Sequence, residues 1–166
     1  MLVVADTGPL IALDAAGCLH VLPLLYGEIH VPVAVADELA AGSESAGAGA
    51  AAQPWLIIEA VESSDPVLRR LSVILDRGEA SALALASRVN AGLVLADDRA
   101  ARREAERMGL SVRGALGVLV DAKRAGHVAA VRPLVARMQG YGIWLSDELV
   151  RAVLESVGET DRAGGS

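Results

Sequence analysis

The chain has 166 residues and a single cysteine, Cys18, which suits one domain with its own core and excludes an internal disulfide framework. A formal net charge of −6 argues against a protein that coats nucleic acid through charge alone. Hydrophobic residues make up 53% but aromatics only 2%, with no Phe, so the core must be aliphatic, as in a parallel sheet sandwiched by helices.

Residues 2–5 (LVVA) read as a buried strand, left through the turn Asp6-Thr7-Gly8-Pro9. Pro9 suits the first turn of a short helix ended by Gly17, and residues 19–25 add a helical turn or two. Residues 28–31 (EIHV) predict a strand, and Pro32 opens a helix to about Leu39. The stretch 40–53 is rich in Gly, Ala and Ser and reads as a loop or frayed helix of poor order. Residues 55–61 (WLIIEAV) predict a strand at an edge or in a small hairpin, and Pro66 begins a helix to about Leu75. Asp76 and Glu79 stand at capping-box spacing before a helix over 79–89. Residues 93–96 (LVLA) predict a second strongly apolar strand, followed by Asp97-Asp98, a charged helix to Met108 and a short strand over 111–113. Helices near 116–125, 129–138 and 146–157 complete a single domain over 1–158, and 159–166 reads as a disordered tail. Strands alternating with helices imply a three-layer α/β/α, Rossmann-like fold with a mainly parallel sheet. No basic leader with an apolar run and no uncharged stretch near membrane length occurs, so the cytoplasm is the expected compartment, without membrane association.

In open α/β sheets ligands bind beyond the carboxyl ends of the strands. Two apolar strands end there in acids, LVVA in Asp6 and LVLA in Asp97-Asp98, and their carboxylates meet if the strands are neighbours. Glu38, on the helix opened by Pro32, and Glu79, in the first turn of the 79–89 helix, can join them. Each has a structural reading: Asp6 and one of Asp97 and Asp98 as helix caps, Glu79 as a first-turn acid, Glu38 as a surface glutamate. Packed together, such carboxylates persist only if solvated, protonated or bridged by a cation. An all-oxygen set indicates Mg²⁺ or Mn²⁺ rather than Zn²⁺ and points to phosphodiester hydrolysis. Thr7 is placed to orient water or a carboxylate. Arg99 and Arg102 follow the acidic pair, and Arg102 is placed to reach a phosphate; Lys123 with Arg124 forms a second basic cluster that could contact RNA. The three histidines are scattered and carry no assigned role, and Trp55 and Trp144 read as packing residues.

Five segments in order, VVADTGPLIAL, VPVAVADEL, DRGEASALALA, LVLADDRAARREAERMGLSVRGALGVL and AKRAG, resemble the DUF3368 group of PIN-like proteins over residues 2–157. That group is related to the toxin ribonucleases of bacterial and archaeal toxin–antitoxin pairs. The resemblance implies acids converging on Mg²⁺ or Mn²⁺, an RNA substrate, homodimers, and a small antitoxin that occludes the site. By motif, Asp6 is the acid after the first strand, Glu38 that of the VPVAV helix and Glu79 that of the GEA segment. Asp98 corresponds to the acid after the fourth strand because relatives usually leave one residue between strand and ligand, with Asp97 its close competitor. The expected function is therefore a metal-dependent endoribonuclease. The rival is a PIN-like module that binds RNA or a protein partner without cutting. An aspartyl phosphatase is disfavoured because Gly8 stands where the second aspartate is needed, and no phosphate-gripping loop with Lys occurs.

Overall fold

The computed structural model describes residues 1–42 and 46–160. Its elements, in chain order, are β1 (Val3–Ala5), α1 (Thr7–Ala15), α2 (Val21–Tyr26), β2 (Ile29–Pro32), α3 (Val33–Ala41), α4 (Ala48–Ala51), β3 (Leu56–Glu59) and α5 (Pro66–Leu71), then α6 (Arg77–Arg88), β4 (Leu93–Leu95), α7 (Arg99–Arg107), β5 (Val112–Arg113), α8 (Ala115–Arg124), α9 (Arg132–Tyr141) and α10 (Asp147–Ser156). The five strands form one sheet in the order β3-β2-β1-β4-β5, every pairing parallel, with Val3 beside both Ile29 and Leu93.

Side-chain alternation explains the three layers. Val3 and Ala5 face a core shared with Leu10 and Leu13 of α1, Leu116 and Leu119 of α8, and Met138 of α9. Val4 and Val94 face the opposite core, with Leu71, Leu83 and Leu85 of α5–α6 and Ala101 and Ala105 of α7. The interior is aliphatic, as the composition requires, and the α/β/α architecture stands as read. Among the described residues no helix is long and apolar enough to cross a membrane.

Several boundaries move for local reasons. The helix begun at Pro66 stops at Leu71 rather than Leu75, because the Asp76 backbone turns extended to cap the next helix. The α9 helix starts at Arg132 rather than 129, which puts Pro133 in the first turn, where its missing N–H costs nothing. The strand at Leu56–Glu59 is a parallel edge strand, not half of a hairpin. Part of the Ala/Gly-rich stretch forms the single-turn α4, while 43–45 lies outside the described residues, as does 161–166. Glu159, assigned from sequence to the tail, is tied down: its carboxylate accepts from Lys123 Nζ (2.8 Å), Val131 N (2.7 Å) and Arg132 N (3.0 Å).

The chain order reverses between β1 and β4: β2 and β3 lie to one side of β1, β4 and β5 to the other. A crevice beyond the carboxyl ends of β1 and β4 is where such a sheet places a ligand.

Candidate active site

Asp6 occupies that crevice. Its N–H still bonds Leu95 O across the end of β4 (2.9 Å), and its Oδ1 accepts from Thr7 N (2.8 Å), capping α1. The residue is 7% exposed. Burial pushes its carboxyl up to about 7; the Thr7 N–H opposes this, and the charges of Glu79, Asp76 and Glu38 reinforce it. Four acids from three elements thus share one local field.

Thr7 joins two of them. While its N–H holds Asp6, its Oγ1 donates to Glu38 Oε2 at 2.5 Å. The other side of the Glu38 carboxylate lies against the first turn of α6, where residue 78 has no side chain: a methyl built at Gly78 would sit 2.5 Å from Glu38 Oε1. Glu79 and Asp76 form the expected capping box, Glu79 N to Asp76 Oδ1 at 2.8 Å and Asp76 N to Glu79 Oε2 at 3.1 Å. Burial raises the Glu79 carboxyl, opposed by that bond to Asp76 and reinforced by the charges of Asp76, Asp98 and Glu38.

The two acids after β4 diverge. Asp98 caps α7 by accepting from Ala101 N (3.0 Å), and its charge acts on Glu79. Asp97 turns toward β5 and α8: its Oδ1 accepts from Ala115 N (2.9 Å) and would sit 2.6 Å from a methyl at Gly114, beside Arg102 Nη1. Desolvation of its inward side raises the Asp97 carboxyl, while the Ala115 N–H and Arg102 lower it. The residue keeps a solvent-exposed face.

Arg99 and Arg102 line clefts that begin at Asp97. Lys123 sits eight residues beyond Ala115, roughly 12 Å along α8, and its ammonium pairs with Glu159 at 2.8 Å. The structure therefore gives Lys123 a partner in the C-terminal clasp and sets it apart from the acids. Trp144 is not a packing residue: it is 84% exposed, in the α9–α10 connection. Sequence reasoning also missed Gly78 and Gly114 as the bare positions that admit Glu38 and Asp97. A glycine inside a helix's first turn, where it lowers helix propensity, was the available signal for Gly78.

A family model described as DUF3368: PIN domain matches residues 2–159. This chain is a PIN domain of the DUF3368 family. A comparison with curated proteins finds no match. PIN domains are generally nucleases that use divalent metals.

The donor set of this PIN domain fits such a cation in chemistry. It is made of oxygens, and at its centre is a buried carboxyl whose charged neighbours are acids. Asp6, Glu38, Glu79, Asp97 and Asp98 each commit one oxygen to an N–H or hydroxyl, and no hydrogen bond within the described residues occupies the other. The cage is not preformed. Among the described residues no three Asp, Glu, His or Cys side chains stand where they could hold one ion, so a cation would have to draw carboxylates inward by side-chain rotation.

Proposed function

We propose that this PIN domain is a metal-dependent endoribonuclease, the toxin of a toxin–antitoxin pair acting in the cytoplasm as a homodimer restrained by a small antitoxin. The observation that carries the reading is the field at Asp6: a buried carboxyl at the sheet's switch point, with Glu79, Asp76 and Glu38 raising its proton affinity. Such a group calls for a proton or a cation, and a cation there would meet a phosphodiester laid across the strand ends.

In this reading Asp6, Glu38 and Asp98 hold Mg²⁺ or Mn²⁺, with Asp97 the competitor for Asp98. A bound divalent cation supplies Lewis acidity toward the phosphodiester and toward the attacking water. Thr7 fixes the angle between Asp6 and Glu38, since one residue bonds both. Glu79 completes the site or positions water; its capping-box bond holds one oxygen, and no hydrogen bond among the described residues takes the other. Arg102, kept near by Asp97, and Arg99 offset the charge of the phosphodiester.

The test is cleavage of labelled single-stranded and structured RNAs with Mn²⁺, Mg²⁺ or EDTA, beside Asp6→Asn prepared identically. Metal-dependent cutting that the variant loses supports the reading; undiminished cutting by Asp6→Asn removes it. The lack of a preformed cage favours one rival, a PIN-like module that holds RNA or a protein without cutting. Calorimetry with Mn²⁺ separates the two, because the rival requires weak metal binding that is indifferent to Asp6.

A further inference from the structure

All five strands are parallel, so all five carboxyl ends lie on one edge of the sheet. At ~4.8 Å between strands this edge is about 19 Å long. The acids occupy its middle, at β1 and β4. A cleft of about 470 Å³ opens on the β2–β3 side, where Pro32 ends β2, and is lined by Arg69 and Arg77. A second, of about 560 Å³, opens on the β4–β5 side and is lined by Asp97, Arg99, Arg102 and the exposed Trp144.

Three of the arginines that line these clefts carry no carboxylate partner among the described residues, whereas Arg113, on the β4–β5 cleft, pairs with Asp121. Arg70, Arg88 and Arg107, which line neither cleft, also pair with acids. Arg69, Arg77 and Arg99 form no ion pair among the described residues. Unpaired guanidinium groups on both sides of an acidic centre suit a chain of phosphates that crosses it. An indole exposed in the same cleft adds a flat apolar face, which an unstacked base can cover and a paired base cannot.

We propose that single-stranded RNA runs along this edge. Phosphates on one side of the crossing point are held by Arg69 and Arg77, those on the other by Arg99 and Arg102, and an unpaired base stacks on Trp144. Placing the scissile phosphate over the acids rests on the nuclease reading; the binding track does not.

The experiment is fluorescence anisotropy of a labelled oligouridine with Asp6→Asn protein in EDTA, so that binding is read without cutting. On this background Trp144→Ala weakens binding about tenfold (~1.4 kcal/mol), within the range for loss of one stacked base. Trp144→Phe restores most of the affinity, and Trp144→Leu does not. Arg77→Ala and Arg99→Ala each reduce the slope of log K against log salt by roughly 0.7, the single-strand value for one phosphate contact. The same strand annealed into a duplex binds more weakly and is indifferent to Trp144. Because Trp144 is 84% exposed, its variants melt as the parent does. The proposal is overturned if Trp144→Ala and the arginine variants bind oligouridine as the parent does. It is equally overturned if Trp144→Ala changes the oligomeric state instead, which would make this face a protein interface. Strong Trp144-dependent binding by a protein whose wild type never cuts RNA would leave the track standing and remove the nuclease reading.

Discussion

Replacing Gly78 by alanine separates what holds the fold from what holds the acids. The added methyl would lie 2.5 Å from Glu38 Oε1 and 3.1 Å from its Cδ. Restoring ordinary contact at 3.4 Å moves that oxygen by about 0.9 Å. Glu38 is exposed and flexible, so the side chain gives way rather than the backbone. Two effects on stability nearly cancel. Alanine for glycine in a helix contributes up to ~1 kcal/mol, and weakening the bond from Thr7 Oγ1 costs roughly 1 kcal/mol. The variant should therefore unfold within about 1 kcal/mol of wild type. Its cleavage should nonetheless fall on the order of a hundredfold, the usual consequence of misplacing a reacting group by an ångström. Chemical denaturation and Mn²⁺-dependent RNA cleavage, measured on the same preparation, test both halves. Full activity in Gly78→Ala would show that Glu38 is not part of the working site. A loss of stability well beyond 1 kcal/mol would show that Gly78 is needed by the backbone instead.

Asp6 makes metal-free stability depend on pH. The folded state keeps its proton to about 7 and the unfolded chain releases it at 3.8, so the folded state binds more protons across that window. Stability in EDTA should fall as pH rises through the window, by up to roughly 4 kcal/mol, and Asp6→Asn should flatten the profile in denaturant titrations. Glu159 has the opposite sign: its lowered pKa, set against burial by Lys123 and the N–H groups of Val131 and Arg132, means stability present at neutral pH is lost as pH drops below its ordinary value of 4.5. Glu159→Ala should destabilise the protein by about 2 kcal/mol at pH 7, read by the same titrations, because two helix-end N–H groups and an ammonium lose their acceptor. Lys123→Ala should lower stability while leaving RNA affinity unchanged in anisotropy; a loss of affinity would support the reading of Lys123 as a substrate residue. Asp98→Asn should weaken Mn²⁺ binding by calorimetry more than Asp97→Asn does, since Asp98 acts on Glu79 whereas Asp97 is turned to Ala115 and Arg102.

The strand-to-acid junctions were legible because a continuous apolar run that stops at a carboxylate has few meanings in a parallel sheet. LVVA and LVLA became neighbouring strands, so their acids share an edge as read. The Asp76–Glu79 capping box was equally legible, being a matter of spacing alone. Partnerships set by the tertiary fold were not. Nothing near Lys123 announces Glu159, which reaches it only after α9 and α10 turn the chain back. Trp144 read as core because large apolar side chains usually are, yet it lies in a connection between helices and little covers it. Convergence of acids was visible in the sequence; their distances were not, so a formed cage could not be told from a loose one.

A net charge of −6, which first argued against nucleic acid, says little about how charge is placed along the site. Six acids lie along the edge, Asp6, Glu38, Asp76, Glu79, Asp97 and Asp98, beside four arginines, Arg69, Arg77, Arg99 and Arg102, so its formal −2 hides a concentrated acidic centre. Helix geometry makes that concentration tolerable: Asp6, Asp98 and Asp97 accept N–H groups at the starts of α1, α7 and α8, where backbone dipoles favour negative charge. A divalent cation held by these acids would offset two of their charges and lower the repulsion that a phosphate chain meets between the flanking arginines. Net charge misleads here because it averages over an edge whose acids lie at the centre and whose unpaired arginines lie on both sides.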